Sequence, residues 1–301
     1  MKHYYSVNEY LRGEFGCKVY KLALDGGFTC PNRDGTLGSR GCIFCSGGSG
    51  EFAADASEDA FAAIEKAKAL VADKSGGGKY IAYFQSYTST YGPSEKLERL
   101  FTQAVSHPDV AVLSAATRPD CLPEDVVELL GRLNRVKPVW VELGLQTIWP
   151  ETAEYIRRGW QGNVFEDAVK RLRARGIYVV AHMIIGLPGE TDDMIRATAE
   201  YIGRSGVQGV KFQLLHVLRG TDLAADYAAG KFEALTLERY IALLEDCIRV
   251  IPPDMAVHRL TGDGAKRELV APLWSADKKR VLNAINAAFD RDALVQGEGL
   301  I

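Results

Sequence analysis

PVWVELGLQTIWPETAEYIRRGWQGNVFEDAVKRLRARGIYVVAHMIIGLPGE, residues 138–190, sets two β-rich apolar runs, 138–145 and 178–185, on either side of a segment of helical period, 164–175. A strand, a helix and a second strand joined in this way form the repeating unit of a parallel sheet with helices laid against it. The pattern continues in both directions. Strand-like runs fall at 19–24, 80–85, 110–115 and 210–215, and helical periods at 57–72, 94–105, 123–133 and 191–204. Ser57 with Asp59, and Thr191 with Asp192 and Asp193, place a cap and acids at helix starts, while Gly76–Gly78, Gly176 and Gly206 stop helices. A closed barrel needs eight such units over ~250 residues, and here the alternation ends after six strands, near Gly220. The expected fold is therefore α/β: an open, partial (βα)6 TIM-type barrel with a parallel sheet over 19–220, preceded by a segment at 1–18. A C-terminal extension at 221–301 packs on the barrel, with helices at 235–250 and 277–289 around a short segment at 256–260.

The 301 residues are 47% hydrophobic and 25% charged, the composition of an ordinary globular chain. No run approaches the ~20 apolar residues of a membrane span, and MKHYYSVNEYLRGEFG lacks a signal-peptide pattern. A cytoplasmic protein is expected. Its net charge of -3 offers no global attraction to nucleic acid, so such a partner needs a local basic patch. Two segments qualify by composition, 157–175 and 266–291, the latter with Lys278, Lys279 and Arg280 adjacent; solvated helix faces are the bland reading of both.

Three of the six cysteines crowd into one loop after the first strand: Cys30, Cys42 and Cys45, with eleven and then two intervening residues. Loops at the carboxyl ends of parallel strands carry function, and a reducing cytosol directs clustered thiols to metal or redox chemistry. Three ligands suit a four-iron cluster with one iron left open, whereas structural zinc is closed by four. Zinc with Cys17 or a histidine as fourth ligand, or a redox dithiol of Cys42 and Cys45, are the competing readings. Cys17, Cys121 and Cys247 read as buried, inert thiols.

Glu142 and Gln146 lie four residues apart on one strand and so share a face, opposite Val141, Leu143 and Leu145. An inward acid and amide suit cofactor polar groups, or simply a polar layer in the barrel. His182 and His216 also sit on or after strands and are candidate catalytic groups. His258 and Arg259, with Thr261 and Asp263, form a tail block HRLTGDG that is either a turn or a substrate-side element. Arg118 and Asp120, and Arg157 and Arg158, follow strands on the functional side, as loop charges or substrate contacts.

With these blocks in place the chain resembles the radical S-adenosylmethionine superfamily. Cys30, Cys42, Phe44 and Cys45, together with ALDGGFTCPNRDGT, KYIAYFQSYTST, ATRPDCLP, WVELGLQT, IIGLPGE and HRLTGDG, are similar to the YtqA/YhcC subgroup, related to the elongator catalytic subunit, over about residues 8–275. HRLTGDG resembles the YtqA branch. The resemblance implies a 4Fe-4S cluster on Cys30, Cys42 and Cys45, S-adenosylmethionine as cofactor, and an electron donor of flavodoxin or ferredoxin type. It places Phe44 near the adenine, or as a plug of the cluster loop, and implies adenine contact by Ile185 and Gly186 of the IIGLPGE block. FQSYTST stands where relatives keep a Gly-Gly-Glu type motif, which leaves Gln85, Tyr87 and Thr88 as candidates for the methionine amino group. On the YtqA branch the implied substrate is tRNA, with a carboxymethylaminomethyl group on a wobble 2-thiouridine converted to aminomethyl. Hydrogen abstraction at the carboxymethyl methylene, oxidation to an imine and hydrolysis to glyoxylate would accomplish it. Tyr87, Tyr91 and Trp160 are candidate stacking partners for an extruded base. A radical enzyme acting on a small metabolite or protein, and a non-enzymatic metal-stabilised binding module, are the alternatives.

Overall fold

The structure, a computed structural model, describes residues 3–47, 53–75, 78–262 and 266–300. Six strands form the middle of one parallel sheet: β1 (Val19–Asp25), β3 (Lys79–Phe84), β4 (Val110–Thr117), β5 (Val139–Gln146), β6 (Tyr178–Ile185) and β7 (Gly209–Leu214). They lie side by side in chain order, as successive βα units require. Two further strands lengthen the sheet at its edges, β2 (Ala54–Asp55) beside β1 and β9 (Ala256–Arg259) beside β7. The result is an α/β partial barrel of eight parallel strands. β2 is too short to show a period in sequence. The segment expected at 256–260 joins the sheet itself, so residues beyond Gly220 complete the barrel edge as well as covering it.

Helices α2 (Ala60–Ser75), α3 (Ser94–Ser106), α4 (Glu124–Asn134), α5 (Pro150–Tyr155), α6 (Val164–Arg173) and α7 (Asp192–Arg204) occupy the connections. The Thr191 hydroxyl caps α7 by accepting from the Met194 amide, as the sequence indicates. α2 departs from expectation. It begins at Ala60, and the Asp59 carboxylate, not Ser57, accepts from the amides of Phe61 at 2.9 Å and Ala62 at 3.1 Å. Val141, Leu143 and Leu145 of β5 are buried in the core shared with the helices. The alternate residues Trp140, Glu142, Gly144 and Gln146 therefore face the barrel interior.

Three helices fall outside the expected periods: α5, a short one at 222–228, and one within residues 1–18. α1 (Val7–Phe15), within the segment expected at 1–18, starts with a capping box in which Ser6 and Glu9 serve each other's backbone amides. It buries Leu11 and packs Val7, Tyr10 and Phe15 on Val19, Ile81, Val112, Trp140 and Tyr178. These are interior residues near the amino ends of the strands, so α1 closes that end. At the other end, β8 (Val217–Leu218) and β10 (Leu269–Ala271) pair antiparallel. Val217 and Ala271 join Ile43 of the cysteine loop in a separate apolar cluster. α8 (Asp222–Ala228), α9 (Leu237–Arg249) and α10 (Lys278–Arg291) finish the chain. Among the described residues no helix is long and apolar enough to cross a membrane.

Candidate active site

Cys30, Cys42 and Cys45 all border one cavity of about 300 Å³ at the carboxyl end of the sheet. Hydrogen bonds inside the loop fix them. The Arg33 guanidinium donates to the Cys45 carbonyl at 2.6 Å, and the buried Asn32 amide donates to the Arg157 carbonyl at 2.7 Å and faces Cys42 Sγ at 3.4 Å. Gly41 suits its φ of 75°, a left-handed conformation strained for residues with a Cβ. The Ile43 amide and carbonyl bond to Ile156 and Leu223, which ties the loop to α5 and α8. Burial, and then the neighbouring Cys45, push the Cys42 thiol up to about 11. A buried thiol of this kind ionises when positive charge is brought to it, as a metal centre does.

The three sulfurs fit a cluster better than a single ion. Among the described residues, the three sulfurs do not all lie within 4.8 Å of one another, a spacing that the donor atoms of Glu65, His107 and Asp109 meet. A single zinc with bonds of about 2.3 Å holds its sulfurs under ~4 Å apart. Cys17 is excluded as a fourth ligand because it packs with α1 at the opposite end of the barrel. Cys121 and Cys247 are buried as expected, whereas Cys17 is only half-buried.

Beneath the cavity lies a charged network. Glu142 is fully buried and its carboxylate accepts from four donors: Lys21 Nζ at 3.0 Å and Ser114 Oγ at 3.0 Å on Oε1, His182 Nε2 at 2.8 Å and Lys211 Nζ on Oε2. Both ammonium groups also sit over the Tyr83 ring, at 4.2 and 4.6 Å from its centre. Burial opposes the charge on Glu142, but Lys21 and Lys211 outweigh it and hold the carboxyl well below its ordinary range. Burial, and then Lys211, push His182 down to about 4. Glu142 is thus the hub of a five-strand network, saturated by its own neighbours.

Most of the residues chosen from sequence meet here. Phe44, Gln85, Tyr87, Thr88, Glu142, Gln146, His182, Arg118 and Arg158 border the same cavity as the cysteines. Gln146 takes a positive φ of 63°, and Gly144 makes room for it, since a Cβ there would lie 2.5 Å from the Gln146 amide. Arg118 is held by Asp120 through two hydrogen bonds of 2.9 and 2.7 Å. Arg158 is buried, donates to the carbonyls of Leu145, Thr147 and Trp160, and lies 3.6 Å from the centre of the Trp160 ring. Trp160 also borders the cavity with the Arg158 guanidinium over its ring, whereas Tyr91 lies outside it with its hydroxyl 3.0 Å from that of Thr36.

Other candidates are placed elsewhere. Ile185 points into the helix-facing core, Gly186 abuts Leu235, and neither borders the cavity. His216, just past β7, packs against Gly262 and is likewise outside it. His258 is at the closed end. A register shift in β9 sets Val257 opposite Val210 but Arg259 opposite Lys211, and the intervening His258 lands beside Gly209, the first residue of β7. There its Nε2 is 3.2 Å from the Tyr178 hydroxyl and its ring meets Trp140 edge-on. Arg259 approaches the network from β9 without lining the cavity, and Asp263 lies outside the described residues. Of the basic segments, 157–175 is largely spent on internal pairs: Arg157 with Asp222, and Arg171 and Arg175 with Glu124. Lys21, Lys211 and Ser114 were missed in sequence. The available signal was an interior lysine in each of two mainly apolar strands, VYKLALD and GVKFQL.

The sequence matches the model of the radical SAM superfamily over residues 35–202 and that of the Radical_SAM C-terminal domain over 207–291. YtqA of Bacillus subtilis is 46% identical over 298 residues, 99% of this chain and 92% of that protein. YhcC of Escherichia coli (strain K12) is 38% identical, covering 89% and 86%. A tRNA uridine(34) acetyltransferase of Methanocaldococcus jannaschii is 27% identical over 157 residues, 50% of this chain and 28% of that one. Among solved structures, the archaeal Methanocaldococcus infernus Elp3 with its N-terminus (1–46) deleted shares the fold at TM-score 0.70 and 18% identity, over 92% of this chain and 64% of that longer one. With three loop cysteines on one cavity at the mouth of a partial barrel, this chain belongs to the radical SAM superfamily as an enzyme of the YtqA/YhcC subgroup.

Proposed function

We propose that the protein modifies tRNA in the cytoplasm, converting the carboxymethylaminomethyl group of a wobble 2-thiouridine to aminomethyl. The observation that carries the reading is the single cavity in which the three thiols face the Glu142 network, inside a chain whose relatives include one named for uridine 34 of tRNA. Cys30, Cys42 and Cys45 would hold a 4Fe-4S cluster with one iron open to S-adenosylmethionine. When bound, the two supply a 5′-deoxyadenosyl radical after one-electron reduction by a flavodoxin or ferredoxin type donor. The chain's own residues place and enclose the reactants. Gln85, Thr88 and Gln146 offer amide and hydroxyl groups at the mouth, Arg118 and Arg158 supply positive charge on the wall, and Phe44 packs the loop on the apolar cluster around Ile43.

Charge favours a local contact with tRNA. Lys278, Lys279 and Arg280 stand exposed in the first turn of α10, where the helix dipole disfavours cations, and Asp277 caps the turn by accepting from the Arg280 amide at 3.0 Å. Anaerobic reconstitution with tRNA carrying the carboxymethylaminomethyl group should yield glyoxylate in step with aminomethyl nucleoside. Mass spectrometry of tRNA from cells lacking the gene should show the precursor accumulating; unchanged wobble uridines would sink the reading. Replacing Lys278, Lys279 and Arg280 by glutamine should lower the slope of log affinity for tRNA against log salt by about 2 to 3.

A further inference from the structure

His182 stands where the buried network meets the cavity. Its Nε2 is 2.8 Å from Glu142 Oε2, and an ionised carboxylate only accepts, so Nε2 carries the ring proton. In a neutral ring the lone pair then belongs to Nδ1. Among the described residues, the bond to Glu142 is the hydrogen bond that His182 makes, and its ring borders the cavity that receives the three thiols. The groups around it are Glu142 on β5, Lys211 on β7, Lys21 on β1, Tyr83 on β3 and Arg259 on β9. Burial and Lys211 keep the ring neutral at pH 7, against the opposing pull of Glu142.

Elimination then singles it out. Of the other side chains bordering the cavity, Arg33, Arg118 and Arg158 are cations that only donate, the glutamine amides are not bases, and both Glu142 oxygens are already filled. Among the described residues, His182 brings the one imidazole to this cavity, and its Nδ1 lone pair is not used by Glu142.

We propose that His182 Nδ1 is the proton acceptor for an amine N–H of the substrate. The amine rests on the carboxymethylaminomethyl reading above. In the transfer an N–H bond of the protonated substrate amine breaks, its electron pair stays on the nitrogen, which becomes a neutral amine, and the proton bonds to Nδ1. Glu142, facing the opposite edge of the ring, stabilises the imidazolium that results, an arrangement of base and orienting carboxylate of the kind used for general base catalysis.

Two measurements test it. Nitrogen-15 spectra of the histidine-labelled protein at pH 7 should show His182 neutral, with its proton on Nε2; a proton on Nδ1, or a doubly protonated ring, overturns the proposal whatever the substrate. His182→Gln keeps a donor toward Glu142 and removes the lone pair at Nδ1. Aminomethyl nucleoside formed per 5′-deoxyadenosine should then fall roughly a hundredfold or more. An unchanged ratio, with both products falling together, assigns His182 to cofactor placement and overturns the proposal. If the wild-type protein leaves wobble uridine untouched, the tRNA reading and the amine donor fail together, while the spectra still decide whether Nδ1 holds the lone pair.

Discussion

The two ends of this barrel are built from the same strands and make two different environments. At the amino ends, Trp140 and Tyr178 stack at 4.9 Å, Tyr10 of α1 closes over both, and His258 is sealed beneath. At the carboxyl ends, two residues further along β5 and four along β6, Glu142 and His182 reach a cavity walled by thiols, amides and arginines. Both histidines are pushed below their ordinary value by burial. Only one of them opens on the space where chemistry can occur. A strand histidine is therefore no guide to function until its height in the barrel is known, and in β9 a one-residue register shift sets that height.

The comparison breaks most completely at the open end. Cys42→Ala should abolish the brown colour and bound iron after anaerobic reconstitution, and with them all 5′-deoxyadenosine formation. Retention of a full cluster would remove the thiol triad from the argument. At the closed end the expected loss is of stability. Trp140→Ala leaves a void among Tyr10, Tyr178 and His258 and should cost about 3 to 5 kcal/mol in urea denaturation. Iron loading at low temperature should stay near wild type; a mutant as stable as the wild type would mean that α1 does not seal the barrel.

A smaller effect joins the two ends through pH. His182 has a folded value of about 4, below the ordinary 6.5, so between those values the unfolded chain binds a proton that the folded chain does not. Its contribution is fully present above pH 6.5 and is lost as pH falls through 4, to the extent of about 3 kcal/mol. Glu142, held well below its ordinary range, adds to the loss at still lower pH. Denaturation midpoints should fall steadily from pH 6.5 to 4, and His182→Gln should flatten part of that slope. A flat wild-type curve over the window would contradict the buried network.

The alternation of strands and helices, the inward face of Glu142 and Gln146 and the cysteine loop were all legible in the chain, because each depends on the period of a strand, the period of a helix or a short spacing. α1 carried a readable signal as well, Ser6 and Glu9 in capping register, which its aromatic composition masked. What only the tertiary structure decided is which distant residues converge. Lys21, Ser114, His182 and Lys211 lie 121, 28, 40 and 69 residues from Glu142 in the chain. They meet because the parallel strands curve until their inward faces enclose one volume. Register acts in the same way, assigning His182 to the open end and His258 to the closed one. Periodicity is local and survives in one sequence; convergence is set by how the sheet curves around its interior, and a residue's identity alone does not encode it.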